Sequence, residues 1–365
     1  MSVDQDELRE LRDRIDGIDR KILKYISERA HCAQLVAKVK LNSPDSQDVV
    51  FYRPEREAQV LRDIMSLNPG PLKDEEIARL FRELMSACLA LESPLRVAFP
   101  GPGGTFAHAA TLKHFGHSVF ALPHRAIDEV FREVEAGTAH YGVVPVETSN
   151  EGVITNTLDA FINSPLNICG EVQIHTHYHL LHSPETAVED IQVLYSKASA
   201  FSNCHRWLDE NWPAAQRVSL TSYEAAAVET AKNKSSAAIA GEICTQLFGL
   251  HSLAGNIEDR PNRIARYLVI GKVFVTPSGA DRTSVLVTIK DEPGALYRML
   301  GPFYEHGLSL TRLDSRPALS GSRRYHFFID FTGHWHDPKI QEAITQLSTE
   351  VLDIRHLGSY PLGFS

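Results

Sequence analysis

The chain has 365 residues, of which 43% are hydrophobic and 23% charged, and it carries a formal net charge of -9 at pH 7. That length predicts two or three domains rather than one small core, and an acidic balance without a Lys/Arg block excludes a nucleic-acid scaffold, which must neutralise phosphates. No apolar run approaches the roughly 18 residues of a membrane span, and the opening MSVDQDELRE is charged where a signal peptide is apolar, so a cytoplasmic protein without a membrane partner is expected.

From Asp6 to about Lys40 the apolar residues Leu8, Leu11, Ile15, Ile18, Ile22, Ile26, Leu35, Val36 and Val39 recur at helical spacing, interrupted only by Gly17. The spacing predicts one helix about 50 Å long by its rise per residue. Further helices are expected over Pro54–Met65 and Lys73–Glu92, separated by the breaker LNPGPL. Two short helices cannot cover so long a third, and a dimer that shares the long helices would close the core. Arg12, Arg29, Lys40, Arg53 and Arg56 punctuate this segment. Singly each reads as part of a solvated face. Together, around an apolar bundle, they could clamp a small dicarboxylate.

After SPL, the β-rich runs RVAFPG, SVFALP, YGVVPVE, IQVLYS, RVSLTS, SAAIAG and ARYLVIG alternate with helical stretches. This predicts a two-lobed α/β segment with mostly parallel strands and a ligand cleft between the lobes. One strand runs into a polar packet, VVPVETSNEG at 143–152, and two readings of it stand open. Thr148, Ser149 and Asn150 could cap the helix that ITNTLDAF begins, or the packet could be a ligand site at a strand's carboxyl end. From Thr283 the order is TSVLVTI, an EPG turn, a helix over Ala295–His306, LSLTRLDSRP, YHFFIDF, a helix over Pro338–Thr349 and a short strand near Val351. That is βαββαβ, a ferredoxin-like plait, which by fold analogy is more often a sensor than a catalyst.

Cys32, Cys88, Cys169, Cys204 and Cys244 are odd in number, widely spaced and without a CxxC pair, so reduced thiols in buried niches are expected rather than disulfides or a zinc site. His175, His177 and His179 alternate as on one strand face, a spacing a metal could use. With no acidic or Cys ligand nearby in sequence, a packed, hydrogen-bonded face is expected and no metal is assigned. His334-Trp335-His336 reads as an exposed loop.

LRDRIDGIDRKILKYISERAHCAQLVAKVK followed by FYRPERE resembles the all-helical chorismate mutase domain. GTFAHAA, VVPVETSNEG and AAIAGE, then EPGAL and LDSRP, follow in the order of the bifunctional chorismate mutase/prephenate dehydratase (P-protein) family, so nearly the whole chain is similar to that family. The resemblance implies a helical mutase domain over 1–93, an α/β dehydratase-like domain over 95–275 and a βαββαβ ACT regulatory domain over 282–365. It also implies chorismate and prephenate as substrates, a homodimer or higher homo-oligomer, and no cofactor.

For the mutase it implies that Arg12 crosses to the partner's site, Arg29 and Arg56 grip the two carboxylates and Lys40 faces the ether oxygen. Glu57 accepts a hydrogen bond from the ring hydroxyl, and Glu92, on one helix face with Cys88, donates to the ether oxygen. No nucleophile is needed: the site holds the compact conformer and stabilises charge growing on the breaking ether oxygen.

For the dehydratase, which expels carbon dioxide and hydroxide from one ring, a donor at the departing hydroxyl is required. Here the family's pattern changes. Its Asn is Thr148, its Thr is Asn150, its His is Lys197, and the Gln before Cys204 is Asn203. Its Thr-Arg-Phe triplet reads Ala265, Arg266, Tyr267, and its GTFS reads GTFA, with Ala107 followed by His108. Glu147, Ser149, Glu151, Gly152, Ser196 and Arg266 are kept, so a carboxylate-binding cleft is expected, with Thr148 and Lys197 as replacement donors. Losing one buried donor costs on the order of 2.7 to 4 kcal/mol in a preorganised site. Two other readings therefore stand beside a bifunctional mutase/dehydratase: a mutase fused to a non-aromatising prephenate decarboxylase with Lys197 or His108 as proton source, and a mutase with a silent, ligand-sensing second domain. Finally, Gly294, Ala295 and Leu296 of EPGAL and Asp314, Ser315, Arg316 and Pro317 of LDSRP resemble the ACT domain's phenylalanine-binding motifs, with Asp314 where relatives have Glu.

Overall fold

The computed structural model describes residues 3–42, 52–149, 152–318 and 323–363. The chain divides into two compact units, residues 1–53 with 60–95 and 115–120, and residues 54–59 with 96–114 and 121–365.

The first unit is built on α1 (Val3–Leu41) and α3 (Asp74–Glu92), with most of α2 (Pro54–Ser66). Local chemistry starts the shorter helices: Pro54 opens α2 with its fixed φ, and acidic first turns (Glu55 and Glu57; Asp74, Glu75 and Glu76) meet the positive helix ends. Ala37, Leu61, Ala78 and Cys88 are buried. Most of α1's apolar stripe is not, with Leu11 at 51%, Ile15 at 56% and Ile22 at 50% exposure. The 115–120 segment clasps α3, with the His117 amide and Nδ1 donating to Glu83 at 3.1 and 2.8 Å and the Ser118 amide to Ser86 Oγ at 3.3 Å. Gly116 permits this approach, because it sits at φ 75 and a Cβ there would lie 2.5 Å from that of Ser86.

The second unit holds three sheets. Lobe one consists of β1 (Arg96–Pro100), β2 (Phe120–His124), β3 (Tyr141–Thr148), β4 (Gly152–Val153), β5 (Asn167–His175) and β11 (Ile264–Gly271), in the order β2-β1-β3-β11-β5 with β4 on β3. Its helices are α4 (Phe106–Phe115), α5 (Ile127–Ala136) and α6 (Thr155–Asn163). Lobe two consists of β6 (His179–His182), β7 (Val193–Ser196), β8 (Gln216–Ser219), β9 (Ser236–Ala240) and β10 (His251–Ala254), in the order β10-β6-β9-β7-β8. The helices α7 (Ala198–Asn203), α8 (His205–Asn211), α9 (Tyr223–Lys232) and α10 (Ile243–Phe248) accompany it.

The expected mostly parallel arrangement is corrected to a mixed one. β1/β3, β7/β8 and β7/β9 are parallel, but β11 runs antiparallel to β3 and β5, and β6 to β9 and β10. The chain crosses into lobe two between β5 and β6 and returns between β10 and β11, and the strands at these crossings run against their neighbours. The three histidines fall at this crossing rather than on one strand face: His175 ends β5, His179 starts β6, and His177 lies between them.

The third sheet takes the order β13-β14-β12-β15 from β12 (Asp281–Lys290), α11 (Ala295–Glu305), β13 (Leu310–Pro317), β14 (Arg324–Thr332), α12 (Pro338–Glu350) and β15 (Asp353–Pro361), the βαββαβ plait. β15 is longer than the expected stub because it lies against β5, so closely that a Cβ on Gly358 would stand 2.2 Å from the Ile168 carbonyl oxygen. The HWH stretch is not wholly an exposed loop: His334 is buried, its Nε2 bonded to the Val275 carbonyl at 2.9 Å. The five cysteines are free; Cys32 is exposed and the others are buried.

Candidate active sites

In the helical unit, Arg29 and Lys40 lie one above the other along α1, both half-buried, and Glu92 ends α3. Burial raises the Glu92 carboxyl above its ordinary range, while the charges of Lys40 and Arg29 pull it down. Cys88 is buried one helical turn before Glu92. Arg12 is exposed on α1; Arg56 is exposed and Glu57 half-buried in the first turn of α2.

In lobe one the strand-end packet is wired to β11. Glu147 pairs in register with Arg266 and Thr148 with Ala265, and Gly152 and Val153 of β4 pair with the same two packet residues. Ser149 does not cap α6. Its amide and hydroxyl both donate to the Ile264 carbonyl at 2.9 Å, and the Ile264 amide donates back to Ser149 Oγ at 2.9 Å. α6 starts after Ile154 without a side-chain cap, and Thr157 Oγ1 instead donates to the Pro145 carbonyl at 2.5 Å. The capping reading of Thr148 and Ser149 is therefore corrected, since both belong to the β3–β11 ladder; Asn150 and Glu151 lie outside the described residues. On α4, the His108 ring stacks on Phe99 at 4.8 Å while its Nδ1 accepts the Gly104 amide at 3.3 Å.

In lobe two, Ser196 Oγ is fully buried and donates to the Ile239 carbonyl at 2.5 Å, tying β7 to β9. Lys197 stands 5.5 Å over the Tyr223 ring. Asn203 Nδ2 donates to Tyr178 Oη at 3.2 Å, and Tyr178 Oη lies 3.2 Å from Tyr223 Oη. Phe106 from α4 meets both tyrosine rings edge-on. Burial raises both phenol pKa values, so the pair offers neutral hydroxyls. Sequence reading passed over Tyr178, Tyr223 and Glu258. Glu258 braces the lobe crossing, receiving the Tyr178 amide at 3.0 Å and His177 Nδ1 at 2.7 Å. Burial opposes its charge, yet those two bonds hold its carboxyl below the usual range. Among the described residues, no cluster of three or more His, Cys, Asp or Glu could hold a metal ion.

Arg266 is engaged through all three of its guanidinium nitrogens. Its Nε donates to Glu171 at 2.8 Å, Nη1 to Asp330 at 2.8 Å and Nη2 to Tyr360 Oη at 3.0 Å. Ser284 Oγ donates to the second Asp330 oxygen at 2.6 Å, and Arg282 also pairs with Glu171. Burial alone would lower the Arg266 pKa, but Tyr360, Asp330 and Glu171 together raise it.

In the plait, Gly294 at φ 81 is the N-cap of α11, Ala295 is buried and Leu296 is 44% exposed. Asp314, Ser315, Arg316 and Pro317 alternate along β13, the edge strand. Their charged members already have partners: Arg312 pairs with Asp314 at 2.5 Å, and Arg316 clasps Asp159 of α6 bidentately at 2.9 and 2.6 Å. Burial raises the Asp314 pKa and Arg312 opposes it.

Comparison with known proteins bears on both sites. Family models match in chain order: Chorismate mutase type II over residues 11–93, Prephenate dehydratase over 97–273 and ACT domain over 283–349. The chain is 52% identical to the bifunctional chorismate mutase/prephenate dehydratase of Stutzerimonas stutzeri, and 39% identical to that of Aquifex aeolicus, over 98% of both chains in each case. Among solved structures it is similar to prephenate dehydratase from Arthrobacter aurescens in complex with L-Phe, at 32% identity and a TM-score of 0.66, covering 73% of this chain and 90% of that one.

Proposed function

Because the chain belongs to the bifunctional chorismate mutase/prephenate dehydratase family, we propose that it is a cytoplasmic enzyme that rearranges chorismate to prephenate and then decarboxylates and dehydrates prephenate to phenylpyruvate, towards phenylalanine. Its domains are 1–93, 95–275 and 282–365. Full-length identity of 52% to an enzyme named for both reactions carries the reading. It weighs against the non-aromatising decarboxylase and the silent second domain, which rest only on the substituted donors.

In the mutase, Arg29 and Arg56 hold the two carboxylates, Glu57 takes the ring hydroxyl's hydrogen bond, and Lys40 with protonated Glu92 meets the negative charge growing on the ether oxygen. Catalysis here is orientation plus electrostatic stabilisation. The pull of Lys40 and Arg29 on the Glu92 carboxyl supports this arrangement. Arg12 completes the site of a second copy, a role its exposure on an uncovered helix permits. In the dehydratase, Thr148, Lys197 and Asn203 serve as donors to the departing hydroxyl, and the neutral Tyr178–Tyr223 pair, hydrogen-bonded to Asn203, supports this reading. Phenylalanine is the effector of the plait, through 294–296 and 314–317.

The product decides the matter. Chorismate incubated with the enzyme and followed by NMR is expected to end as phenylpyruvate. A decarboxylated ring that keeps its hydroxyl, or accumulation of unchanged prephenate, would reject the dehydratase half.

A further inference from the structure

The dehydratase reaction proposed above, on which this inference rests, consumes a dianion, and Arg266 is engaged by Glu171, Asp330 and Tyr360. A second arginine stands three residues earlier, on the return crossing from lobe two. Arg263 is held there by its main chain, its carbonyl accepting the Thr176 amide at 2.8 Å and the Thr176 hydroxyl at 3.3 Å. The next residue, Ile264, is the one that Ser149 grips from the strand-end packet. The backbone at 263–264 is thus fixed between the packet of lobe one and the crossing that carries Tyr178.

The Arg263 side chain has no such engagement. Its Nη1 is buried and has no hydrogen-bond partner among the described residues. Arg282 has one buried nitrogen without a hydrogen-bond partner and Arg312 has two, but each guanidinium is ion-paired, to Glu171 and Asp314 respectively. No ion pair is found for Arg263 among the described residues. Its positive charge acts on the Tyr178 phenol and on the Cys204 thiol next to Asn203, and Tyr178 is in turn hydrogen-bonded to Asn203 and lies beside Tyr223. A buried cationic N–H without an acceptor is costly in a folded protein and calls for a ligand that supplies one.

We propose that Arg263 is the substrate-binding cation of the dehydratase site and takes the side-chain carboxylate of prephenate. The chemistry selects that carboxylate over the one on the ring. In the reaction the bond from the ring to its carboxylate breaks, and the electron pair forms the new ring double bond. The carbon–oxygen bond of the ring hydroxyl breaks with its pair on oxygen, which takes up a proton and leaves as water. The ring carboxylate thereby loses its charge as carbon dioxide, and a cation paired to it would hold it in the starting state. The side-chain carboxylate keeps its charge throughout, so binding it stabilises ground and transition states alike and acts on KM rather than kcat.

The test uses the full-length enzyme, with mutase turnover of chorismate measured in the same preparation as a control for folding. Arg263→Gln is expected to raise KM for prephenate about ten- to a hundredfold, the range of a charge-assisted hydrogen bond, with kcat within about threefold. Arg263→Lys should recover part of the loss, because it keeps the charge without the planar fork. Phenylpyruvate retains only the side-chain carboxylate, so its inhibition constant should rise in parallel with KM. An unchanged KM, or a kcat loss at constant KM, overturns the proposal. A raised KM with unaltered phenylpyruvate inhibition also overturns it, by placing Arg263 on the ring carboxylate. If Arg263→Gln does not fold, Arg263→Lys alone decides by the same two constants. A wild-type enzyme that turns over prephenate while the variant KM is unchanged sinks this assignment alone; one that forms no phenylpyruvate sinks it together with the reaction.

Discussion

In the proposed mutase site, Glu92 is expected to set the pH behaviour. An ionised carboxylate only accepts hydrogen bonds, so Glu92 can donate to the ether oxygen only while protonated. Burial raises its pKa, and Lys40 and Arg29 limit the rise. Mutase turnover should fall as pH increases through the Glu92 value, because the deprotonated form lacks the donor and adds a negative charge beside the developing one. In Glu92→Gln that fall should flatten, as an amide donates at every pH; pH–rate profiles of the two enzymes check it, and superimposable alkaline limbs would reduce Glu92 to a helix end. Arg29→Ala should abolish chorismate conversion while added prephenate is still turned over, measured in parallel assays. At this scale the sequence was legible where partners share or adjoin a helical pattern, as for Arg29, Lys40 and Glu92. It was not legible for Arg266, whose plait partners Asp330 and Tyr360 lie 64 and 94 residues away. Nor did the second arginine of DRPNR carry any sign that its neighbours would leave it unpaired.

Among the elements, α1 is the one whose own chain leaves it incomplete. Leu11, Ile15, Ile18 and Ile22 lie along it 45 to 56% exposed, a continuous apolar stripe rather than scattered surface residues. A second copy laid along it would bury that stripe and bring Arg12 to the other site. Ile15→Asp is therefore expected to abolish mutase activity, with the loss of the shared-helix contact read by sedimentation; full mutase activity in this variant would reject the shared site. The five helices given bounds from the pattern end within one residue of the observed ends, except that the first begins three residues earlier than expected. β5 escaped notice for the opposite reason: buried along nearly its whole length, it has no alternation to read. The helix-cap reading of the packet failed because a ladder partner more than a hundred residues away competes for Ser149.

Within the second unit, regulatory and catalytic parts share one buried polar junction. Arg266 and Asp330 have side chains 9% and 7% exposed, so removing this carboxylate leaves a buried guanidinium N–H without its acceptor while Glu171 alone faces both Arg266 and Arg282. Asp330→Ala should cost about 3–5 kcal/mol, measured by denaturant unfolding, and more than the exposed pair Arg132–Asp128, whose loss should cost under about 1 kcal/mol. At 314–317, the proposed phenylalanine site, the charged side chains are already paired as Arg312–Asp314 and Arg316–Asp159. Calorimetry is expected to show weak binding, and Arg316→Ala should alter how binding is felt at α6, seen as changed inhibition of dehydratase turnover.

The contact of Gly358 with Ile168 bears on how such enzymes can be recombined. A plait grafted from a relative will seat on this dehydratase only if it brings a residue without a side chain at 358, a carboxylate at 330 and a hydroxyl at 360, whatever its overall similarity. The exchangeable piece is thus larger than the plait: it includes β5 and the Glu171 it carries, and a crossover placed between β11 and β12 cuts through the middle of a single mechanical part.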